Sequence, residues 1–320
     1  MSGPESGSND VVSAAPGTGT GTEQPATSVD GYGERLERTV AERGHLCLGI
    51  DPHPGLLEDW GLPRSAEGVR EFSARVVEAG GDLAAAIKPQ VAFFEAYGSA
   101  GMRVLEDVCR DIAARGALVI ADAKRGDIGS TLAAYAEAWL APGAPFACDA
   151  VTLSPYLGVG ALEPAFAAAE ASGRGVYVLS ATSNPEAVGL QNARLADLTT
   201  SAEDASGITT GQTLAQFVAD EIAARNRAGR KPENPAVGLV IGATVAEPPA
   251  VGRDHGPLLV PGYGAQGGGD SDIRRVCGGN LPSALINVSR AILRHGPDVA
   301  ALREATIAVN QQMSAVEKSE

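Results

Sequence analysis

Short apolar runs alternate with Ala-rich stretches of helical spacing along most of this chain. The apolar runs read as strands at His45–Asp51, Leu83–Lys88, Leu118–Lys124, Ala147–Ser154, Gly175–Thr182, Ala236–Ala243, Pro257–Pro261 and Ser283–Arg290. Amphipathic spacing between them predicts helices over Ala66–Ala79, Ser130–Leu140, Gly160–Ala171, Thr209–Ala228 and Ala300–Ser314. Eight strands, mostly separated by helices in about 280 residues, predict an α/β fold of the (β/α)8 TIM-barrel type. Many strand runs are almost wholly apolar, as expected of a parallel sheet covered by helices. A doubly wound open sheet would give the same alternation. The stretch Ser183–Ile208 is long for a βα connection and predicts a lid or an extra helix.

Composition bounds the rest. The 320 residues carry 25 Lys+Arg against 39 Asp+Glu, a formal charge of −14, so a general nucleic-acid or anionic-membrane binder is not expected. No apolar run approaches the ~18 residues of a transmembrane helix. Residues 1–33 are rich in Gly, Ser, Thr and Pro, and carry four acids and no base. They fit neither a secretory signal nor a transit peptide and predict a disordered leader. One barrel domain is then expected over residues 34–316, with 317–320 frayed. Cys47, Cys109, Cys148 and Cys277 are scattered, which suggests reduced thiols in a cytoplasmic protein and no zinc site.

The informative feature is where polar residues fall. Asp51, Lys88, Asp122 with Lys124, Ser154 and Arg290 end five of the apolar runs. In a barrel these ends meet on one rim, where active sites are built. The third run, Leu118-Val-Ile-Ala-Asp122-Ala-Lys124-Arg-Gly-Asp127, is the densest. Residues two apart in a strand share a face, so Asp122 and Lys124 point the same way. Asp127 follows in the turn, either as a cap for the next helix or as part of a charge network with Lys88, Asp122 and Lys124. Such a network in a dry pocket would hold Lys124 protonated and aimed as a general acid.

Near the other end, Gly262-Tyr-Gly-Ala-Gln266-Gly matches G-x-G-x-x-G. No acid ends the following strand to hold a ribose; Arg290 does instead. Gly-rich backbone after strand seven with a cation after strand eight is how barrels bind phosphate, so a phosphate monoester is the preferred ligand. An NADP site and an unliganded loop are the alternatives. His53 reads as an ordinary loop histidine, and the histidines show no metal spacing.

These residues resemble a known family. Asp122-Ala-Lys124-Arg-Gly-Asp127-Ile128-Gly-Ser-Thr131 looks like the D-x-K-x-x-D-I-x-x-T core of orotidine 5′-phosphate decarboxylases, in the form of the second bacterial type. So do Leu48-Gly-Ile-Asp51-Pro-His-Pro, Lys88-Pro-Gln-Val-Ala-Phe-Phe-Glu95, Ser154-Pro-Tyr-Leu-Gly158, Ala181-Thr-Ser-Asn-Pro-Glu186 and Pro261-Gly-Tyr-Gly-Ala-Gln-Gly-Gly268. These motifs and Arg290 occur in the family's order over residues 48–290.

The resemblance implies decarboxylation of orotidine 5′-monophosphate to uridine 5′-monophosphate by a homodimer that needs no metal or organic cofactor. It implies Lys124 as proton donor to C6, Asp122 beside the substrate carboxylate, and Lys88 in the charge network and on the ribose. Asp127 and Thr131 would enter the partner subunit's site, and Ile128 would line an apolar patch near the pyrimidine. Asp51 would bind ribose, Ser154 the pyrimidine, and Arg290 with Gln266 the phosphate. Two other readings remain: a magnesium-dependent phosphosugar decarboxylase on the same barrel, and a barrel that binds nucleotide without turnover.

Overall fold

The computed structural model describes residues 30–196, 211–229, 231–264 and 267–318. Eight parallel strands close into a barrel in chain order, which excludes the open doubly wound sheet. They are β1 (Leu46–Ile50), β2 (Ala86–Pro89), β3 (Leu118–Arg125), β4 (Ala150–Leu153), β5 (Gly175–Ala181), β6 (Val237–Ile241), β7 (Leu258–Pro261) and β8 (Ala284–Val288). Each lies within one predicted run, apart from Pro89 at the end of β2 and Arg125 at the end of β3. Arg290 is not in β8 but opens the short helix Arg290–Leu293.

Strand alternation divides the core into two layers. One parity, including Leu46, Leu48, Ile50, Val119, Val151, Val176, Leu239 and Ile286, packs outward under the helices. The other, including Cys47, Ala86, Ile120, Ala150, Tyr177, Leu259 and Leu285, fills the barrel.

The outer helices follow the sequence reading with shifted ends. Ala66–Gly80 is capped by Ser65, whose hydroxyl accepts from the Gly68 N–H. Gly129–Leu140 and Val299–Lys318 match two further predictions, although the last helix runs into the expected fray. The predicted Thr209–Ala228 helix starts only at Leu214, because Thr213 Oγ1 accepts from Gln216 N and caps it. Val159–Leu162 is a 3-10 turn that leads into the Glu163–Ser172 helix.

Two sizeable helices carry no clear signal in the sequence. Gly98–Ala114 opens on Gly-Ser-Ala-Gly with no side-chain cap. Tyr32–Arg43 begins inside the predicted leader. Its Tyr32, Leu36 and Val40 pack with the interior layer and plug the amino-terminal end of the barrel. There the Tyr32 and Tyr177 hydroxyls share a 2.8 Å hydrogen bond, and Arg35 pairs with Asp149. A Cβ at Gly175 would overlap the Tyr32 ring, so glycine at the foot of β5 admits the plug. The rest of the predicted leader, residues 1–29, lies outside the described residues.

In the long connection after β5, Pro185–Ala187 forms a 3-10 turn and Val188–Gln191 a single helical turn. Gln191 ties this piece to the strand end: its side chain accepts from Thr182 N at 2.8 Å and donates to Thr182 Oγ1 at 2.9 Å. Residues 197–210 of the connection are outside the described residues. All four cysteines are free and buried. No helix among the described residues is long and apolar enough to cross a membrane.

Candidate active site

Polarity rises along the inward parity toward the carboxyl ends of the strands. Cys47 and Gly49 give way to Asp51, Ala86 to Lys88, and Ile120 to Asp122. Ala150 gives way to Thr152, and Leu285 to Asn287 and Ser289. The apolar lower layers support a polar floor at the rim.

Asp122 is the hub of that floor. Its Oδ2 accepts from Lys88 Nζ at 2.8 Å, and its Oδ1 from Lys124 Nζ at 2.6 Å and Thr152 Oγ1 at 2.9 Å. Burial would raise the Asp122 carboxyl, but the Lys88 and then the Lys124 charges outweigh it and hold it well below the usual carboxylate range. Burial would likewise lower the Lys88 ammonium, yet Asp122 and Asp51 hold it above its usual range. Lys88 and Asp122 are almost fully buried, whereas the Lys124 side chain is 44% exposed, so this ammonium faces the space above.

Simple alternation does not deliver Lys124. Its φ is +46°, the single positive value outside glycine among the described residues, and the β3–β4 register shifts between Ala121 and Arg125. Thr152 Oγ1 accepts from Lys124 N at 2.9 Å and so holds the kink as well as Asp122. A side chain in this left-handed region carries about 1–3 kcal/mol of strain, which its surroundings must offset.

Beside the cluster, between the ends of β1, β2, β7 and β8, is a cavity of about 340 Å³. Its polar lining includes Asp51, Gln90, Asn287, Ser289 and Arg290, and its apolar wall includes Leu56, Phe93 and Leu293. Gln90 joins the two parts of the site. It lines the cavity, its Nε2 donates to Asp122 O at 3.3 Å, and its Oε1 accepts from Lys88 Nζ at 3.5 Å. Arg290 has no carboxylate partner among the described residues, so its guanidinium is available to an anion.

The Gly-rich loop after β7 takes positive φ at Gly262 and Gly264 (+104° and +71°), conformations that glycine adopts without strain. Tyr263 donates to Asp270 at 2.8 Å, and burial together with this bond pushes its phenol up to about 12. The following helix, Asp270–Cys277, uses its own Asp272 to accept the Gly269 N–H.

The structure therefore brings together Lys88, Asp122 and Lys124, with Asp51 and Arg290 in the adjoining cavity. It does not bring Asp127 to them. Asp127 Oδ1 instead accepts the Ile128 N–H, and Ile128 is the N-cap of the next helix, which has no side-chain cap, so the capping expectation for Asp127 also fails. Ile128 and Thr131 lie exposed beside it. Ser154 faces a second cavity, of about 260 Å³, shared with Tyr156, Gln191 and Phe217. Gln266 lies outside the described residues. His53 is more than a loop histidine: it caps Pro54–Asp59 and lines the first cavity. Thr152, Gln90 and Asn287 were missed, though inward parity marks all three.

Comparison with known proteins accords with this geometry. The sequence model of the Orotidine 5′-phosphate decarboxylase / HUMPS family matches residues 44–305. An orotidine 5′-phosphate decarboxylase from Salinispora tropica is 52% identical over 281 residues, covering 87% of this chain and 95% of that protein. The Corynebacterium glutamicum (strain R) protein of the same name is 48% identical over 277 residues, 86% of this chain and 94% of its own. A provisionally named orotidine 5′-phosphate decarboxylase structure from Streptomyces avermitilis superposes with a TM-score of 0.82 at 44% identity, over 93% of this chain and all of that one. The Leishmania donovani OMP decarboxylase structure gives 0.68 at 29% identity, over 91% of this chain and 100% of that one. With a family match across nearly the whole barrel and relatives about half identical, the chain belongs to the orotidine 5′-phosphate decarboxylase / HUMPS family.

Proposed function

We propose that the Lys88–Asp122–Lys124 cluster and its cavity carry out the carboxy-lyase reaction in which orotidine 5′-monophosphate loses carbon dioxide to give uridine 5′-monophosphate. The observation that carries this reading is the aimed Lys124 ammonium, bonded to a buried aspartate that is itself neutralised by Lys88. When the bond from C6 to the carboxylate breaks, its electron pair stays on C6 in an orbital the ring cannot delocalise. Lys124 stabilises that pair as it forms and then transfers its Nζ proton to C6. Preorganised charge thus replaces an electron sink. Asp122 lies beside the departing carboxylate and keeps Lys124 oriented through their hydrogen bond.

Asp51 and Lys88 hold the ribose and Arg290 the phosphate, with Ser154 on the pyrimidine and Gln266 at the phosphate loop. Gripping the phosphate, remote from C6, contributes binding energy that orders the reacting groups. No metal or organic cofactor enters this scheme. The enzyme works in the cytoplasm, in the last step of de novo uridine monophosphate synthesis. Following the orotate-ring absorbance with orotidine 5′-monophosphate tests the reading directly. Turnover unaffected by a chelator supports it; no turnover, or loss on chelation, sinks it.

Arg290→Ala is expected to raise KM by roughly 10–100-fold with a smaller change in kcat, the loss of one charge-assisted phosphate contact. Unchanged kinetics would remove Arg290 from the phosphate site.

Asp127, Ile128 and Thr131 act in the site of a second copy, as in a homodimer. The exposure of Ile128 and Thr131 supports this, and so do the exposed apolar Tyr156 and Leu157 on the β4 loop. Mixed Lys124→Ala and Asp127→Ala chains should recover about a quarter of wild-type activity, because half the dimers are hybrids with one intact site each. No recovery after verified subunit exchange would place the whole site in one chain.

A further inference from the structure

We propose that Thr152 is a positioning residue whose one hydroxyl sets both ends of Lys124, an inference that rests on the decarboxylase reading above. The register of β3 against β4 runs Ala121↔Val151 and then Arg125↔Leu153. Asp122, Ala123 and Lys124 therefore share the single opposing residue Thr152. Such a bulge bends its strand and re-aims the side chains it carries. It also loosens the ladder at the lysine that needs the closest aim, so something outside the ladder must hold that lysine.

A hydroxyl has one proton to give and lone pairs to accept with. Thr152 Oγ1 donates its proton to Asp122 Oδ1 at 2.9 Å and accepts from Lys124 N at 2.9 Å. Lys124 Nζ returns to the same Oδ1 at 2.6 Å. The three bonds close a ring that ties the backbone and the ammonium of one lysine to one hydroxyl–carboxylate unit. The other donors to the Asp122 side chain are ammonium groups on long flexible stems, Lys88 and Lys124 itself. Threonine is short and stiff at χ1, so its hydroxyl is the rigid donor that fixes the plane of the carboxylate. Thr152 is only 1% exposed, so it acts through Asp122 and Lys124 rather than on the ligand. Misplacing a reacting group by about 1 Å costs on the order of 10²-fold in rate.

The test compares Thr152→Val, which keeps the branched shape without the hydroxyl, with Thr152→Ser, which keeps the hydroxyl without the methyl. The valine variant should lower kcat for orotidine 5′-monophosphate by about 10–100-fold with little change in KM, and the serine variant should restore most of it. Amide hydrogen exchange at Lys124 gives a readout independent of turnover. The Lys124 N–H should exchange about tenfold faster in the valine variant than in wild type or the serine variant, the loss of roughly one neutral hydrogen bond. Thr152→Ala removes the same hydroxyl and should match the valine variant if that one misfolds. Wild-type kcat in a folded valine variant, a serine variant as slow as valine, or a loss confined to KM overturns the proposal. Unchanged exchange at Lys124 overturns it as well. Absence of turnover in wild type would instead overturn the decarboxylase reading, and the exchange comparison would still decide whether Thr152 holds Lys124.

Discussion

Lys124→Ala is expected to lower decarboxylation of orotidine 5′-monophosphate by at least about 10⁴-fold with little change in folding. The variant loses the proton donor, a group whose positioned transfer typically contributes 10²–10⁴-fold, and also the charge that stabilises the developing carbanion. Stability should move by no more than about 1 kcal/mol, because the half-exposed Lys124 contributes modestly and Asp122 keeps its bonds from Lys88 and Thr152. Lys124→Gly should be equally inactive but more stable than the alanine variant, since glycine adopts the +46° φ without strain. Single-turnover assays by ring absorbance, beside thermal unfolding, separate the two effects. Substantial residual turnover in either variant would remove Lys124 from the acid role.

The barrel was legible because each strand is a nearly pure apolar run and its polar residues gather at one end. A buried parallel strand allows little else. The plug was not legible: Tyr32 and Leu36 are isolated among polar residues, and their partners, such as Tyr177, are more than a hundred residues away. Within the site, the Lys88, Asp122 and Lys124 side chains do meet, as the residue types and spacing suggested. The means differ, because the β3 kink and the Thr152 bonds that hold it depend on the neighbouring strand. Asn287 and Gln90 were overlooked for another reason. Charged residues draw the eye at strand ends, whereas inward parity identifies neutral amides equally well. Reading β8 by parity puts Asn287 and Ser289 on the interior face and leaves Arg290 to the turn beyond.

Asp122→Asn should lose activity and, unlike the Lys124 variants, should also lose about 3–5 kcal/mol of stability at neutral pH, the cost of breaking a buried ion pair from one side. The wild-type Asp122 carboxyl is held below its unfolded value of about 3.9, so its contribution is complete above that pH and is lost only as pH falls through the lower folded value. Lys88 is held above its unfolded value of about 10.4, so its contribution is complete below that pH and is lost as pH rises through the folded value. From about pH 5 to 9 neither group titrates, and the pair should leave wild-type stability flat. In the variant, burial of Lys88 is opposed chiefly by Asp51, and its folded pKa falls. The unfolded chain then binds more protons than the folded one, so the variant should gain stability as pH rises from 7 toward 10. Urea unfolding of both proteins at several pH values measures this. Equal stability at pH 7, or a variant that weakens as pH rises, would show that Lys88 does not depend on Asp122 for its charge.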